Sequence, residues 1–288
     1  RVRSSAASDV YKRQAVKLGQ NAFSQFGKFT EDKISLNAKE HVSKVAEQFI
    51  ANGKMRAYDG RDEECIKEFL DHVSHELKTP IALIQGYAEG LNENISDDPE
   101  SREFYCEVIM DEASKMNKLV KNLLTLNQLE SGKDAPVMER FDIVSLIRGV
   151  LGSMHIMIEQ KEATVIFEET EPVYVWADEF KIEEVVTNYT SNALNHLDGE
   201  RKVEIKVLQE EDCVKVTVFN TGTPIPEEDI PNLWNKFYKV DKARTREYGG
   251  SGIGLSIVKA IIESMNQKYG VCNYDNGVEF WFTLDCRQ

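Results

Sequence analysis

Nothing in the 288-residue sequence approaches the ~20 consecutive apolar residues that a bilayer-spanning helix needs. No secretory hydrophobic core opens the chain either, so as given it reads as soluble. Positive charge is in deficit: Lys and Arg total 35 against 49 Asp and Glu, a formal net charge of −14. A phosphate backbone or an anionic membrane face repels such a chain, which argues against nucleic-acid binding. Cysteine is scarce. The five residues Cys65, Cys106, Cys213, Cys272 and Cys286 are odd in number and form no Cys-x-x-Cys pair, which argues against a disulfide framework or a zinc ribbon and fits a reducing compartment. With 41% hydrophobic and 29% charged residues, the composition is that of an ordinary globular protein.

The length exceeds what one compact core normally occupies, which implies about two folded units and a connector. Residues 1–14 lack periodicity and read as a translated cloning or sequencing linker, and residues 15–62 as a mostly helical connector without chemistry. From Glu63 the signal sharpens: Ile66, Leu70, Val73, Leu77, Ile81, Ile84, Ala88 and Leu91 draw one apolar stripe along a helix. The polar cluster at 96–101 breaks it, and Pro99 suits the first turn of a new helix. A second stripe through Tyr105, Ile109, Met116, Leu119, Leu123 and Leu126 runs to Gly132, a C-cap by type. Two such helices form an antiparallel hairpin at residues 63–132. Their stripes are too wide for one partner, so two hairpins are expected to pair into the four-helix bundle of a homodimer.

Residues 133–140 read as a linker, and the remainder, 141–288, as a mixed α/β domain. Helical spacing covers 141–158, 178–196 and 255–265; strand alternation covers 163–167, 173–176, 203–208, 214–219 and 278–284. Adjacent strand pairs favour an α/β sandwich with a mostly antiparallel sheet. The fold class expected is therefore multidomain, an α-helical hairpin followed by an α/β sandwich.

The first candidate site is the run from His72 to Pro80 on the first hairpin helix. His75 lies about 200° around the helix from the stripe residue Val73, which turns it toward solvent. Glu76 beside it can accept a ring proton and leave the other nitrogen nucleophilic. Thr79, one turn on, can orient a water, and Pro80 should bend the helix just past the site. The run is not the His-Glu-x-x-His zinc pattern, since residue 79 is Thr. A metal shared by His72 and His75, and two plainly solvated histidines, are the rival readings.

A second candidate is spread over the α/β part. Asn188 and Asn192 are four residues apart on one helix face, and carboxamide oxygens suit Mg²⁺. Asn220, at a strand end before Gly222, can accept from an exocyclic amine such as that of adenine. Alternate glycines at Gly250, Gly252 and Gly254 run into the apolar helix that continues with Leu255, where backbone amides can approach phosphates. The spacing is neither Gly-x-x-x-x-Gly-Lys nor a Rossmann fingerprint.

Together these segments resemble, in order and spacing, the H, N, G1 and G2 boxes of two-component sensor histidine kinases. Residues 233–241 resemble the F box, and the likeness points to the Gram-positive branch with the vancomycin-resistance-type sensors. It implies a dimeric phosphoacceptor hairpin and a Bergerat-fold domain that binds Mg²⁺-ATP. His75 would be phosphorylated and passes the group to an aspartate of a response regulator receiver domain. Glu76 would activate it, and Thr79 would assist dephosphorylation of that regulator. Asn188 and Asn192 would face Mg²⁺. His196, Asn220, Gly222, Lys239, Gly250, Gly252, Gly254 and Leu255 would contact the nucleotide. The chain departs from the pattern at Asn220 (usually Asp), Pro224 (usually Gly), Asn195-His196 (a usual Lys is missing) and Trp234 (usually Phe). Two alternatives follow, a non-catalytic ATP-binding scaffold and a regulator dominated by phosphatase action. In this family a missing membrane segment implies a parent protein anchored in the membrane, with this region in the cytoplasm.

Overall fold

The computed structural model describes residues 61–93, 98–131, 134–169, 171–240 and 251–286, with side chains from residue 71 onward. The expectations for residues 1–60, Gly132 and Gly250 lie outside these. The chain divides between Asn127 and Gln128 into two compact units.

The first unit is the hairpin. Helix α1 spans Arg61–Asn92 and α2 spans Pro99–Glu130, the last turn of α2 belonging to the second unit. Pro80 sits inside α1 without ending it. At the start of α2 the Ser101 N–H donates to Asp98 Oδ1 at 2.8 Å, and Pro99, which has no N–H to leave orphaned, takes the first helical position. Tyr87 of α1 meets Tyr105 of α2 edge to face at 5.0 Å, where Gly90 leaves room for the Tyr105 ring. Leu119, Leu123 and Leu126 of α2 are buried, whereas Val73, Leu77, Ile81 and Ile84 of α1 remain half-buried.

The second unit is the α/β sandwich. Strands β1 (Glu139–Asp142), β2 (Thr164–Ile166), β3 (Tyr174–Ala177), β4 (Lys202–Gln209), β5 (Cys213–Thr221), β6 (Tyr269–Tyr274) and β7 (Gly277–Asp285) form one sheet, with helices α3 (Ile143–Ser153), α4 (His155–Gln160), α5 (Glu179–Asn195) and α6 (Gly254–Ser264). The sheet order is β1-β3-β7-β5-β4-β2, with β6 also paired to β7. The β2–β4 pair is parallel and the other pairs are antiparallel. The core lies where Val214, Val216, Val218, Phe280, Phe282 and Leu284 of the sheet meet Ile182, Val185, Val186 and Tyr189 of α5 and Ile257, Val258, Ile261 and Ile262 of α6, all buried. Each such side chain contributes about 1.5–3 kcal/mol by leaving water.

Three details differ from the expected elements. Glu139 and Arg140, assigned to the linker, pair in β1 against Ala177 and Trp176. The helix expected over 141–158 starts at Ile143 and breaks at Met154. Its start is set by Asp142, which accepts from the N–H groups of Val144 and Ser145, and also from Val173 at 2.9 Å. Strand β6 has no alternating pattern to announce it. Gly270 interrupts it because the Trp281 ring crosses the strand there, within 2.6–2.9 Å of where a Cβ would be.

Candidate functional site

On the hairpin, His75 and Thr79 are exposed and Glu76 is half-buried. One helical turn separates His75 from Thr79, so the imidazole and the hydroxyl share a solvent-facing strip of α1. That is the arrangement expected from the stripe.

In the second unit, α5 is oriented by its N-cap Asp178, which accepts from Lys181 N–H at 3.1 Å and from Val137 N–H at 2.9 Å. Asn188, half-buried on that helix, donates through Nδ2 to the carbonyl of Glu184 at 2.9 Å. Its Oδ1 then points at the first residue of α6: a Cβ on Gly254 would lie 2.8 Å from it. The N-cap of α6 is Ile253, whose side chain makes no hydrogen bond to the helix end. Early N–H groups of a helix without a side-chain cap carry partial positive charge, so a carboxamide oxygen and an anion-attracting helix end lie side by side.

A second cluster forms where α5 ends and β5 ends. His196, the C-cap of α5, is exposed; its carbonyl accepts from Asn220 Nδ2 at 3.4 Å, and the Thr221 carbonyl accepts from the same nitrogen at 3.2 Å. Asn220 is only 3% exposed, so its amide orientation is fixed by these two carbonyls and its remaining hydrogen-bonding group is the acceptor Oδ1. Gly222 has to be glycine here, since a Cβ would fall 2.6 Å from His196 O.

Gly252 adopts φ +70° and its carbonyl accepts from the N–H of Phe237 at 2.9 Å; a Cβ there would lie 2.8 Å from the Phe237 Cα. Phe237 is itself buried at φ +61°, a conformation costly for an aromatic residue. The close approaches at Gly252 and Gly254 are thus made by the protein's own groups, Phe237 and Asn188, besides any phosphate.

The structure therefore joins Asn188 with Gly254, and Asn220 with Gly222 and His196. Asn192 lies one turn beyond Asn188, half-buried, and its carbonyl accepts from His196 N–H at 3.1 Å. Lys239 and Leu255 are half-buried, two residues past Phe237 and one past Gly254. Among the described residues no group of three or more His, Cys, Asp or Glu is arranged to hold a metal ion. Asn188 Oδ1, a hard oxygen beside Gly254, fits Mg²⁺, which keeps several waters and bridges phosphates. Sequence reading missed the clasp that Asn273 makes on Ile225, since an asparagine in a strand without alternation carries no signal.

Residues 66–132 match the family described as the His Kinase A (phospho-acceptor) domain, and residues 177–288 that of the histidine kinase-, DNA gyrase B- and HSP90-like ATPases. The sensor protein kinase WalK of Staphylococcus epidermidis is 31% identical over 224 residues, covering 76% of this chain and 36% of that protein. A WalK of Staphylococcus aureus is 31% identical, with 54% of its length covered. The chain thus spans about a third to a half of these curated relatives. Among solved structures, histidine kinase ThkA in complex with the response regulator protein TrrA superposes with a TM-score of 0.64 at 27% identity, covering 89% of this chain and 68% of that one. The Acinetobacter baumannii histidine kinase AdeS shares the fold, with a TM-score of 0.62, 22% identity, and coverage of 74% of this chain and 98% of that one. The chain belongs to the two-component sensor histidine kinases, a HisKA hairpin followed by a HATPase-type α/β domain. Among the described residues no helix is long and apolar enough to cross a membrane.

Proposed function

We propose that this chain autophosphorylates His75 from Mg²⁺-ATP and passes the phosphoryl group to an aspartate of a response regulator. The observation that carries the reading is the pairing of Asn188 Oδ1 with the α6 N-terminus, which has no side-chain cap, in a chain whose hairpin presents an exposed histidine. ATP would bind with its base at Asn220 and Gly222 and its phosphates toward Gly252, Gly254 and Leu255; Lys239 and His196 would flank it, and Gly250, outside the described residues, is assigned to the same phosphate-facing glycines on the motif alone. Mg²⁺, held through Asn188 and Asn192, would neutralise phosphate charge.

The free nitrogen of His75 attacks the γ-phosphorus in line, the bond to the ADP oxygen breaks, and ADP leaves with the electron pair. Glu76 holds the ring's other N–H. Positioning and charge neutralisation supply most of the rate. Thr79, exposed one turn away, orients water for dephosphorylation of the regulator. We further propose that the hairpin, residues 63–132, forms a four-helix bundle with a second copy, that 133–140 link it to the ATP-binding domain at 141–288, and that the parent protein is anchored in a membrane with this region in the cytoplasm. The kinship with vancomycin-resistance-type sensors is proposed on the motifs alone; the relatives reported above are WalK sensors. His75→Gln is expected to abolish labelling from γ-labelled ATP while leaving binding of an ATP analogue unchanged. Labelling that persists at another residue would overturn the assignment.

A further inference from the structure

The turn after β5 is held by a side chain outside all of the motifs. Asn273 of β6 receives the N–H of Ile225 on its Oδ1 at 3.0 Å and donates its Nδ2 to the carbonyl of the same residue at 2.6 Å. One planar carboxamide thus satisfies both main-chain groups of Ile225, as a neighbouring strand would. The sheet register explains the reach. Asn273 lies opposite Val278 of β7, and Val278 lies opposite Asn220 of β5, so Asn273 and Asn220 stand in one row two strands apart, about 10 Å. The segment leaving β5 crosses the end of β7 and is clasped on β6. Gly222 is tied along the way, its N–H donating to the carbonyl of Asn276 at 3.0 Å. Pro224, just before the clasped residue, fixes its own φ and reduces the conformations the clasp must select among.

We infer that Asn273 is a positioning residue for the nucleotide site: it fixes the 222–225 turn through Ile225 and so presets Gly222 and the turn that follows Asn220 for the base. The inference rests on the ATP reading above. Asn273 holds the turn on the side where the reading above puts the base, so its loss requires the nucleotide to order the turn on binding and leaves phosphoryl transfer in the bound state untouched.

The whole chain, its Asn273→Ala variant and its Asn273→Gln variant are compared for the KM for ATP and the kcat of autophosphorylation, for equilibrium binding of a fluorescent ADP analogue, and for hydrogen exchange at the Ile225 amide. Losing two hydrogen bonds predicts for Asn273→Ala a KM raised about three- to tenfold, a kcat within about twofold, and Ile225 exchange faster by about tenfold or more. Asn273→Gln, which keeps both groups, is expected to recover most of the KM. A KM within about twofold of the parent, a fall in kcat at constant KM, or a raised KM that Asn273→Gln does not lower would each overturn the positioning role. If the parent chain binds no ADP analogue, the ATP reading itself falls. If it binds and Asn273→Ala binds equally well, the positioning role alone falls.

Discussion

At the scale of single residues, the proposed nucleotide site is shaped by main-chain groups that no motif spells out. Asn220 and Gly222 are legible in the sequence because a strand followed by a tight turn needs a polar end and a glycine. The reason for asparagine rather than the family's usual aspartate is not legible, because it lies in the carbonyls of His196 and Thr221, which occupy the amide hydrogens at 3.4 and 3.2 Å. Asn220→Asp would replace a donor to two carbonyls by an anionic oxygen that repels them, in a side chain only 3% exposed. Restoring the family residue is therefore expected to cost about 1–3 kcal/mol of stability and to weaken nucleotide binding. Urea denaturation and titration with an ATP analogue at neutral pH check this; tighter binding than the parent would refute it.

At the scale of elements, the helices with an unbroken apolar period were legible from spacing alone: α1, α2, α5 and α6 fall where the stripes put them. Strands β3, β4, β5 and β7 follow their alternation. Strand β1 was hidden because its four residues follow linker-like sequence and hold together by pairing with β3, and β6 because Gly270 and its exposed residues erase the period. The packing of α5 on the sheet yields a test by pH. Tyr189 is fully buried between α5 and β7, against Phe280 and Phe282, with its hydroxyl donating to the Trp281 carbonyl at 3.3 Å. Burial holds its phenol well above the ordinary value, so the fold favours the neutral form. Stability from this group is complete below the unfolded phenol's pKa of about 10 and is lost as pH rises beyond it, at about 1.4 kcal/mol per unit. Urea denaturation of the second unit at pH 8 and pH 11 should therefore show a fall that is about 1.4 kcal/mol smaller in Tyr189→Phe. The variant's lost hydrogen bond lowers both measurements equally and cancels in the difference. An identical fall in parent and variant would mean that Tyr189 is not sealed in the core.

At the scale of the whole molecule, the two units bury their apolar residues to different degrees. The α/β unit closes its own core, with Ile143, Ile147, Ile182, Val185, Val203, Val216, Ile257, Ile261 and Phe282 all at 0% exposure. The hairpin does not. From Val73 onward its α1 stripe stays half-buried, and Leu83, Phe104 and Met110 are 40%, 53% and 72% exposed. Two helices with one face each left over lack the buried area that a small independent fold requires, and the proposed pairing with a second copy would supply it. Mass action then separates the units: a fold made of two chains loses about 1.4 kcal/mol per mole of dimer for each tenfold dilution, whereas a fold complete within one chain loses nothing. With about 140 ordered residues in a paired hairpin, that corresponds to a melting temperature lower by about 3–5 °C per decade of protein concentration. Calorimetry over two decades of concentration is expected to show one transition that moves with dilution and one that stays. Asn220→Asp should lower the stationary transition and leave the moving one in place, which assigns each to its unit. Two stationary transitions would mean that the hairpin is stable alone and that its half-buried stripe and exposed apolar residues serve something other than a second copy.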